Sequence, residues 1–108
     1  MIKEIILEFK VRRLLNKMDK LYVSEKALAF YRECVNGNLY EDKKVLIKKL
    51  KRNYVLGKKI NEYTVRYGNL IIYHTNNRIT SIYNSRRKLT DNNIDYCLKE
   101  KLDYILNL

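Results

Sequence analysis

The stretch from residue 62 to residue 84, EYTVRYGNLIIYHTNNRITSIYN, places the strongest constraint on how this chain can fold. Its β-branched and aromatic residues fall into three short groups, a composition that favours β-strands. Turn residues separate the groups: Gly68-Asn69 suits a type II′ turn, and Asn76-Asn77 suits a type I′ turn. Because turns this short join antiparallel strands, the sequence predicts a three-stranded antiparallel meander.

The positions of the two turns set the register that we expect in this meander. Counting outward from the first turn pairs Val65 with Ile72, and counting from the second pairs His74 with Ile79 and Ile72 with Ser81. Side chains alternate along a strand, so the strands present two faces. The more apolar face, expected to contact helices, carries Tyr63, Val65, Tyr67, Leu70, Ile72, His74, Ile79, Ser81 and Tyr83. The other carries Thr64, Arg66, Ile71, Tyr73, Thr75, Arg78, Thr80 and Ile82.

The second of these faces has two interpretations. A sheet that is covered on one side leaves its other side in contact with water, so the polar residues can form an ordinary solvated surface. Alternatively, Arg66, Tyr73 and Thr80 form a cluster of close neighbours on adjacent strands. Such a cluster could hold a phosphate, because arginine presents a planar fork of donors. A register shift of one residue would exchange the two faces.

Apolar residues at helical spacing predict three helices before the meander and one after it. We expect them at about residues 1–20, 25–36, 40–54 and 91–106. Ser24 and Thr90 are the predicted N-caps of the second and the fourth helix. The chain is therefore predicted to be α+β and to form a single domain over residues 1–108, with N-terminal helices, a three-stranded meander and a C-terminal helix.

The first predicted helix carries a broad apolar stripe that begins with Ile2, Ile5, Ile6 and Phe9. We expect this stripe to face the core, and an amphipathic helix on a membrane surface is the alternative. The sequence has no run of about 18 uncharged apolar residues, so no membrane span is expected. The N-terminus also lacks the features of a signal peptide, and we expect a cytoplasmic protein.

The net charge of +11 is concentrated in the middle of the chain. Eight basic residues and no acidic one occur between positions 43 and 59, namely Lys43, Lys44, Lys48, Lys49, Lys51, Arg52, Lys58 and Lys59. Arg86, Arg87 and Lys88 form a second basic cluster after the meander. A focused basic surface predicts a polyanionic partner. We expect nucleic acid, RNA favoured over DNA, bound through its phosphates. An acidic protein inhibitor is a further candidate, and a merely solvated helix face is the alternative.

The sequence contains no strong catalytic or metal-binding motif. It lacks a P-loop, G-x-G-x-x-G, G-x-S-x-G and the Cys/His spacing of a metal site, so we expect no metal and no cofactor. His74 is the obvious candidate general acid or base, and a partly buried structural histidine is the alternative. Cys34 and Cys97 are far apart within helical patterns and are expected to be buried thiols.

The stretch VRYGNLIIYHTNNRITSIYNSR resembles the strand pair of small ribonuclease toxins of the RelE/ParE-like and wider barnase–EndoU–colicin–RelE-like group. The order of helices, strands and final helix is similar as well, and the resemblance covers roughly residues 24–88. It implies that side chains on the sheet face bind the scissile phosphate and assist attack by the 2′-hydroxyl. The matching positions would be Arg66, Tyr73, Arg78 and Thr80, with His74 and Arg86 at the edge. The chain departs from the group in its long N-terminal helix and in lacking a clear strand before the helices.

Two functions from different classes follow from these observations. The first is a metal-independent ribonuclease toxin that cleaves RNA, in which a cationic face stabilises the developing charge and Tyr73 or His74 moves protons. The second is a non-catalytic nucleic-acid-binding protein, such as a phage- or plasmid-encoded regulator or an inhibitor of a host nucleic-acid machine. Both need the basic surface, and only the first needs a reactive cluster on the sheet.

Overall fold

A mixed five-stranded sheet with helices packed on one face makes up the part of the chain that the computed structural model describes, residues 2–35, 37–85 and 94–108. The elements are, in chain order, α1 (Ile2–Asp19), β1 (Tyr22–Val23), α2 (Glu25–Cys34), α3 (Lys43–Leu56), β2 (Lys58–Asn61), β3 (Thr64–Tyr67), β4 (Leu70–Thr75), β5 (Arg78–Asn84) and α4 (Tyr96–Leu106). The strand order is β1-β5-β4-β3-β2. The predicted α+β class is therefore confirmed.

The predicted meander forms strands β3 to β5, and both turns lie where the sequence placed them. Gly68 has a φ of 59°, and Asn76 and Asn77 have φ values of 49° and 62°. These are the positive φ values that type II′ and type I′ turns require. Val65 pairs with Ile72, as the first turn predicts.

The sheet is larger than the predicted three strands, and that prediction was wrong in extent. β2 pairs with β3 in the antiparallel sense, and β1 pairs with β5 in the parallel sense. All four residues of β2 are exposed, so this edge strand has no apolar–polar alternation that would reveal it. β1 has only two residues, too few for any period to be seen.

A β-bulge in β5 corrects the predicted register. His74 pairs with Ile79 as expected, but Tyr73 pairs with Ser81, which leaves Thr80 as the extra residue on β5. The Thr80 backbone carbonyl accepts a hydrogen bond from Ser24 Oγ at 3.2 Å, and its own hydroxyl donates to the Tyr73 carbonyl at 3.3 Å. The bulge is therefore held from both sides by hydrogen bonds.

Beyond the bulge, the side chains of β5 lie on the faces of the sheet opposite to those predicted. Ile72 pairs with Ile82 and not with Ser81 as predicted. Ile82 is consequently buried in the core, whereas Ser81 and Tyr83 move to the face opposite the helices. The predicted assignment of these three residues was wrong because the sequence of β5 gives no sign of an inserted residue.

The core lies between the sheet and the four helices. Its fully buried side chains come from both layers: Leu46, Leu50, Ile72, Ile79 and Leu102. Each large aliphatic side chain buried in this way contributes about 1.5–3 kcal/mol. α2 lies along β5 and α3 packs on β3, so these two helices fix the strands that carry the sheet's other face.

The apolar stripe at the start of α1 does not face the core, which corrects that expectation. Val11 and Met18 are buried, whereas Ile2, Ile5, Ile6 and Phe9 are largely exposed. α1 has 18 residues and α4, which packs against it, has 11. At 1.5 Å per residue these lengths are about 27 and 16 Å, so the first turns of α1 extend beyond the packed region.

The helix ends follow the predicted chemistry in some places and differ from it in others. Ser24 caps α2, its Oγ accepting from the Ala27 backbone N–H at 3.0 Å, as predicted. α3 begins at Lys43 with Asp42 as its N-cap, and α4 begins at Tyr96 with Asp95 as its N-cap, both later than predicted. Thr90, the predicted cap of the last helix, lies outside the described residues.

The two cysteines are not joined in a disulfide, but they are not the buried thiols that were expected. Cys34 is half-buried, and Cys97 is exposed because α4 turns this position away from the core. None of the helices within residues 2–35, 37–85 and 94–108 combines the length and hydropathy that crossing a membrane requires.

Candidate nucleic-acid interface

The sheet face opposite the helices carries a grid of side chains in three rows, which we call the tyrosine face. Cross-strand pairing defines the rows. The first contains Tyr22, Arg78 and Thr75, the second Thr64, Tyr73 and Ser81, and the third Lys58, Arg66, Ile71 and Tyr83. Rows lie two residues apart along β3 and β4, roughly 7 Å, and neighbouring strands are about 5 Å apart. On β5 the bulge sets the row of Arg78 and the row of Ser81 three residues apart.

Three exposed tyrosine rings occupy this face, one in each row. Tyr22 is 66% exposed, Tyr73 40% and Tyr83 58%. Tyr73 and Tyr83 are diagonal neighbours on β4 and β5, a relation that brings Cα atoms to about 7–8 Å. Exposed aromatic rings at this spacing on a sheet can each stack on one unpaired base.

Arg78 adds a positive charge beside the first ring. Its guanidinium carbon lies 5.5 Å from the centroid of the Tyr22 ring, within the range of a cation–π contact. A cation–π contact does not use the N–H donors of the guanidinium, so Arg78 can contact a phosphate without leaving Tyr22.

The side chains predicted to form one catalytic cluster are spread over the sheet. Arg66 and Arg78 lie in the outer rows, on either side of the row of Tyr73, and their backbones are therefore roughly 14 Å apart along the strands. The Thr80 hydroxyl is engaged by the Tyr73 carbonyl within the bulge. Of the five proposed catalytic residues, Arg66, Tyr73 and Arg78 share the tyrosine face, but they do not converge on one point.

His74 lies on the other face of the sheet, against the helices. Tyr54 Oη lies 3.2 Å from its Nδ1, and the two rings meet edge to face with centroids 4.9 Å apart. Its Nε2 is buried and has no hydrogen-bond partner among the described residues. Burial lowers the pKa of His74, and the nearby positive charges of Lys59 and Lys17 lower it further. This environment favours a neutral ring that packs against Tyr54.

Much of the basic run of α3 is engaged in contacts within the fold. Lys43 pairs with Glu25 at 2.7 Å, Lys49 with Glu41 at 3.3 Å, and Arg52 with Asp103 at 2.8 Å, and Lys48 donates to the Leu106 carbonyl at 3.1 Å. Lys44 and Lys59 are exposed and Lys51 is half-buried, with no ion pair to a described residue, and Lys58 has a partner. Arg86, Arg87 and Lys88 lie outside the described residues. A nucleic-acid role for these basic residues stays a prediction.

Sequence reasoning missed two of the three tyrosines on the tyrosine face. Tyr22 belongs to a strand of two residues, and Tyr83 is turned to this face by the bulge. Around Ser81 the sequence places two polar residues before two apolar ones. This departure from strict alternation is a weak signal, and it does not identify an inserted residue.

No group of three or more potential metal ligands occurs among the residues that the structure describes. Comparison with known proteins yields no matching family model, no matching curated protein and no matching solved structure.

Proposed function

We propose that this chain binds single-stranded nucleic acid, RNA favoured over DNA, on its tyrosine face. The observation that carries the proposal is the presence of three exposed tyrosine rings in three successive rows of the sheet, with the Arg78 guanidinium in cation–π contact with the first. The net charge of +11 supplies the long-range attraction for a polyanion.

Stacking supplies the short-range affinity in this proposal. A base stacked on an aromatic ring contributes about 1–3 kcal/mol, largely independent of the base. Paired bases inside a duplex cannot reach rings that stand on a sheet, so single strands are preferred. The Ser81 hydroxyl shares a row with Tyr73 and offers a partner for a ribose 2′-hydroxyl, which supports RNA over DNA.

The spacing of the arginines also favours binding over cleavage. Arg66 and Arg78 stand in rows on opposite sides of Tyr73, an arrangement that suits separate, non-adjacent phosphates of an extended strand. A single scissile phosphate would instead need converging donors.

The test uses pairs of tyrosine substitutions and a labelled single-stranded RNA whose anisotropy reports binding. Tyr73→Ala with Tyr83→Ala is expected to weaken binding at least tenfold, whereas Tyr73→Phe with Tyr83→Phe keeps the rings and the affinity. The matched control is Tyr40→Ala with Tyr104→Ala, since these rings are 94% and 87% exposed elsewhere on the surface. Equal losses in the test pair and the control pair would refute the assignment of the face.

The second candidate is a metal-independent ribonuclease, and the resemblance to the RelE/ParE-like toxins supports it. Tyr73 carries the one exposed acid–base hydroxyl in the middle row, between the two arginine rows. Incubation of the protein with total RNA in EDTA tests the activity, and RNA that stays intact for hours rejects it. If cleavage is seen, Tyr73→Phe separates the roles, because it removes the hydroxyl while retaining the stacking ring.

A further inference from the structure

A polar cavity of about 620 Å³ opens at the end of the sheet where the Gly68-Asn69 turn meets α2 and α3. Its wall includes Tyr31, Cys34, Arg52, Asn53, Tyr67 and Asn84. We propose that this cavity, which we call the Arg52 cavity, binds the phosphate group of a small molecule, with the Arg52 guanidinium as its anchor. The inference does not depend on nucleic-acid binding at the tyrosine face.

Arg52 is a buried arginine whose hydrogen bonds within the fold do not use all of its N–H donors. It is only 8% exposed. Its Nε and Nη2 donate to Asn53 Oδ1 at 3.2 and 2.9 Å, and its Nη1 donates to Asp103 Oδ1 at 2.8 Å. A guanidinium has five N–H donors, and these three bonds leave two without an acceptor among the described residues. Because Arg52 lines the cavity, a ligand there can accept from them.

The guanidinium is held in a fixed orientation by its neighbours. Asn53, which receives two of its hydrogen bonds, donates in turn from Nδ2 to Tyr31 Oη at 3.1 Å. Asn53 is 4% and Tyr31 3% exposed. This chain of buried contacts sets the plane of the donor fork before any ligand arrives, a condition that favours binding.

Tyr67 supplies a further donor close to the same point. Its hydroxyl has no hydrogen-bond partner among the described residues, and Tyr67 lines the same cavity as Arg52. Burial raises the pKa of Tyr67, so the hydroxyl stays protonated at neutral pH and donates. Two N–H groups of Arg52 and the O–H group of Tyr67 therefore have no acceptor among the described residues, and both side chains line the cavity.

The local charge favours an anion inside the cavity. Asp103, the acidic partner of Arg52, also binds Lys99 Nζ at 2.9 Å. One carboxylate is thus shared by two cations, and the group of three carries one net positive charge. Glu33 contributes a carboxylate to the cavity wall, but it is exposed there, where water screens it.

The shape and the donors together indicate a phosphate. The planar guanidinium fork matches the oxygen spacing of phosphate, and a phosphate offers enough acceptor oxygens for the arginine and the tyrosine at once. The volume falls in the range of about 300–1,000 Å³ that is typical of small-molecule sites. It leaves room for a group attached to the phosphate.

The test is a set of calorimetric titrations of the full chain with inorganic phosphate, a nucleoside monophosphate and the corresponding nucleoside. We expect both phosphate compounds to bind and the nucleoside to bind at least tenfold more weakly. Tighter binding of the monophosphate identifies a nucleotide-like ligand, and equal binding identifies free phosphate as the ligand. Equal affinity for nucleoside and monophosphate, or no binding of any of them, would overturn the proposal.

Two variants assign the binding to this cavity. Tyr67→Phe keeps the ring and removes the donor, and it is expected to weaken phosphate binding roughly tenfold. Arg52→Lys keeps the charge and loses the fork, and a larger loss is expected if circular dichroism shows that it folds. Tyr104→Phe, at an exposed tyrosine on α4, is the control. Unchanged phosphate affinity in Tyr67→Phe would contradict the assignment, whatever the fate of Arg52→Lys.

Discussion

Gly57 closes α3 at the turn into β2, and its replacement by alanine tests the packing that positions the sheet. Its φ of −70° and ψ of 164° are accessible to any residue, so a methyl group brings no backbone strain. The added Cβ would instead collide with the Val65 side chain and lie 2.9 Å from the Arg66 carbonyl oxygen and 3.0 Å from the Asn53 carbonyl oxygen. Two of these three neighbours are backbone atoms and cannot rotate away.

The expected size of the effect follows from these contacts. Overpacking costs about 1–3 kcal/mol, and contacts with backbone atoms of both β3 and α3 place Gly57→Ala at ~3 kcal/mol. Alanine also restricts the unfolded chain, which offsets roughly 0.4–1 kcal/mol of this cost. The net loss in the free energy of unfolding is therefore about 2–3 kcal/mol. For a domain of this size it corresponds to a decrease in Tm of about 10–20 °C.

Thermal melts followed by circular dichroism, together with urea unfolding, measure this loss. Gly37→Asn is the matched control. Gly37 has a φ of 90°, which asparagine tolerates better than most residues, and a Cβ added there would meet no atom within 4 Å. The control is expected to lose about 1 kcal/mol, the cost of placing a side chain at a positive φ with no collision. A Gly57→Ala protein whose Tm stays close to that of the wild type would refute the close approach of α3 and β3.

Three further changes test other parts of the fold by urea unfolding. Ser24→Ala removes the N-cap of α2 and the hydrogen bond to the Thr80 carbonyl, so the free energy of unfolding is expected to fall by more than about 1 kcal/mol. An unchanged free energy of unfolding would contradict the role of Ser24 as a cap and as a support of the bulge. Met18→Ala is expected to lower the free energy of unfolding by about 2–5 kcal/mol, and Phe9→Ala by less than about 0.5 kcal/mol, because only Met18 is buried. A larger loss for Phe9→Ala than for Met18→Ala would place the α1 stripe in the core. The pKa of His74 is lowered in the folded state, so below pH ~6.5 the unfolded chain binds the proton first and stability decreases. His74→Phe should reduce that decrease between pH ~7.5 and ~5, and an unchanged decrease would exclude His74 as its source.

The meander was predictable because its local chemistry is unambiguous. Turn residues that accept positive φ stand at Gly68 and at Asn76-Asn77, and β-branched and aromatic residues fill the strands between them. Turn type and hydrophobic pattern agree there, and the same agreement identified Ser24 as a helix cap. The turns and the helix cap each depend on only a few residues that are adjacent in the sequence, so a local sequence pattern is enough to predict them.

The rest of the sheet depends on contacts between distant parts of the chain. β1 exists because Leu21 and Ser24 anchor the chain beside β5, and no local pattern marks a strand of two residues. The Thr80 bulge is held partly by Ser24, 56 residues earlier in the chain, so the register change in β5 could not be derived from the meander alone. That single inserted residue decides which face Tyr83 joins.

The sequence predicted which face of the sheet carries the candidate site, but not all of the residues on that face. Arg66, Tyr73 and Arg78 were placed on the side away from the helices, as the structure has them. The basic residues of α3 illustrate the opposite case: a run of charge in a sequence does not show that Arg52 turns inward to Asp103 or that Lys49 meets Glu41. The net charge can be read from the sequence, but the contacts of each charged side chain depend on the fold.

The most direct test of the central claim is an NMR titration of the labelled protein with a short single-stranded RNA. Binding at the tyrosine face predicts that the largest amide shifts fall on β1, β4 and β5, around Tyr22, Tyr73 and Tyr83, and that they vanish in the Tyr73→Ala, Tyr83→Ala protein. Largest shifts on the lysines of α3, with the three strands unperturbed, would contradict the account.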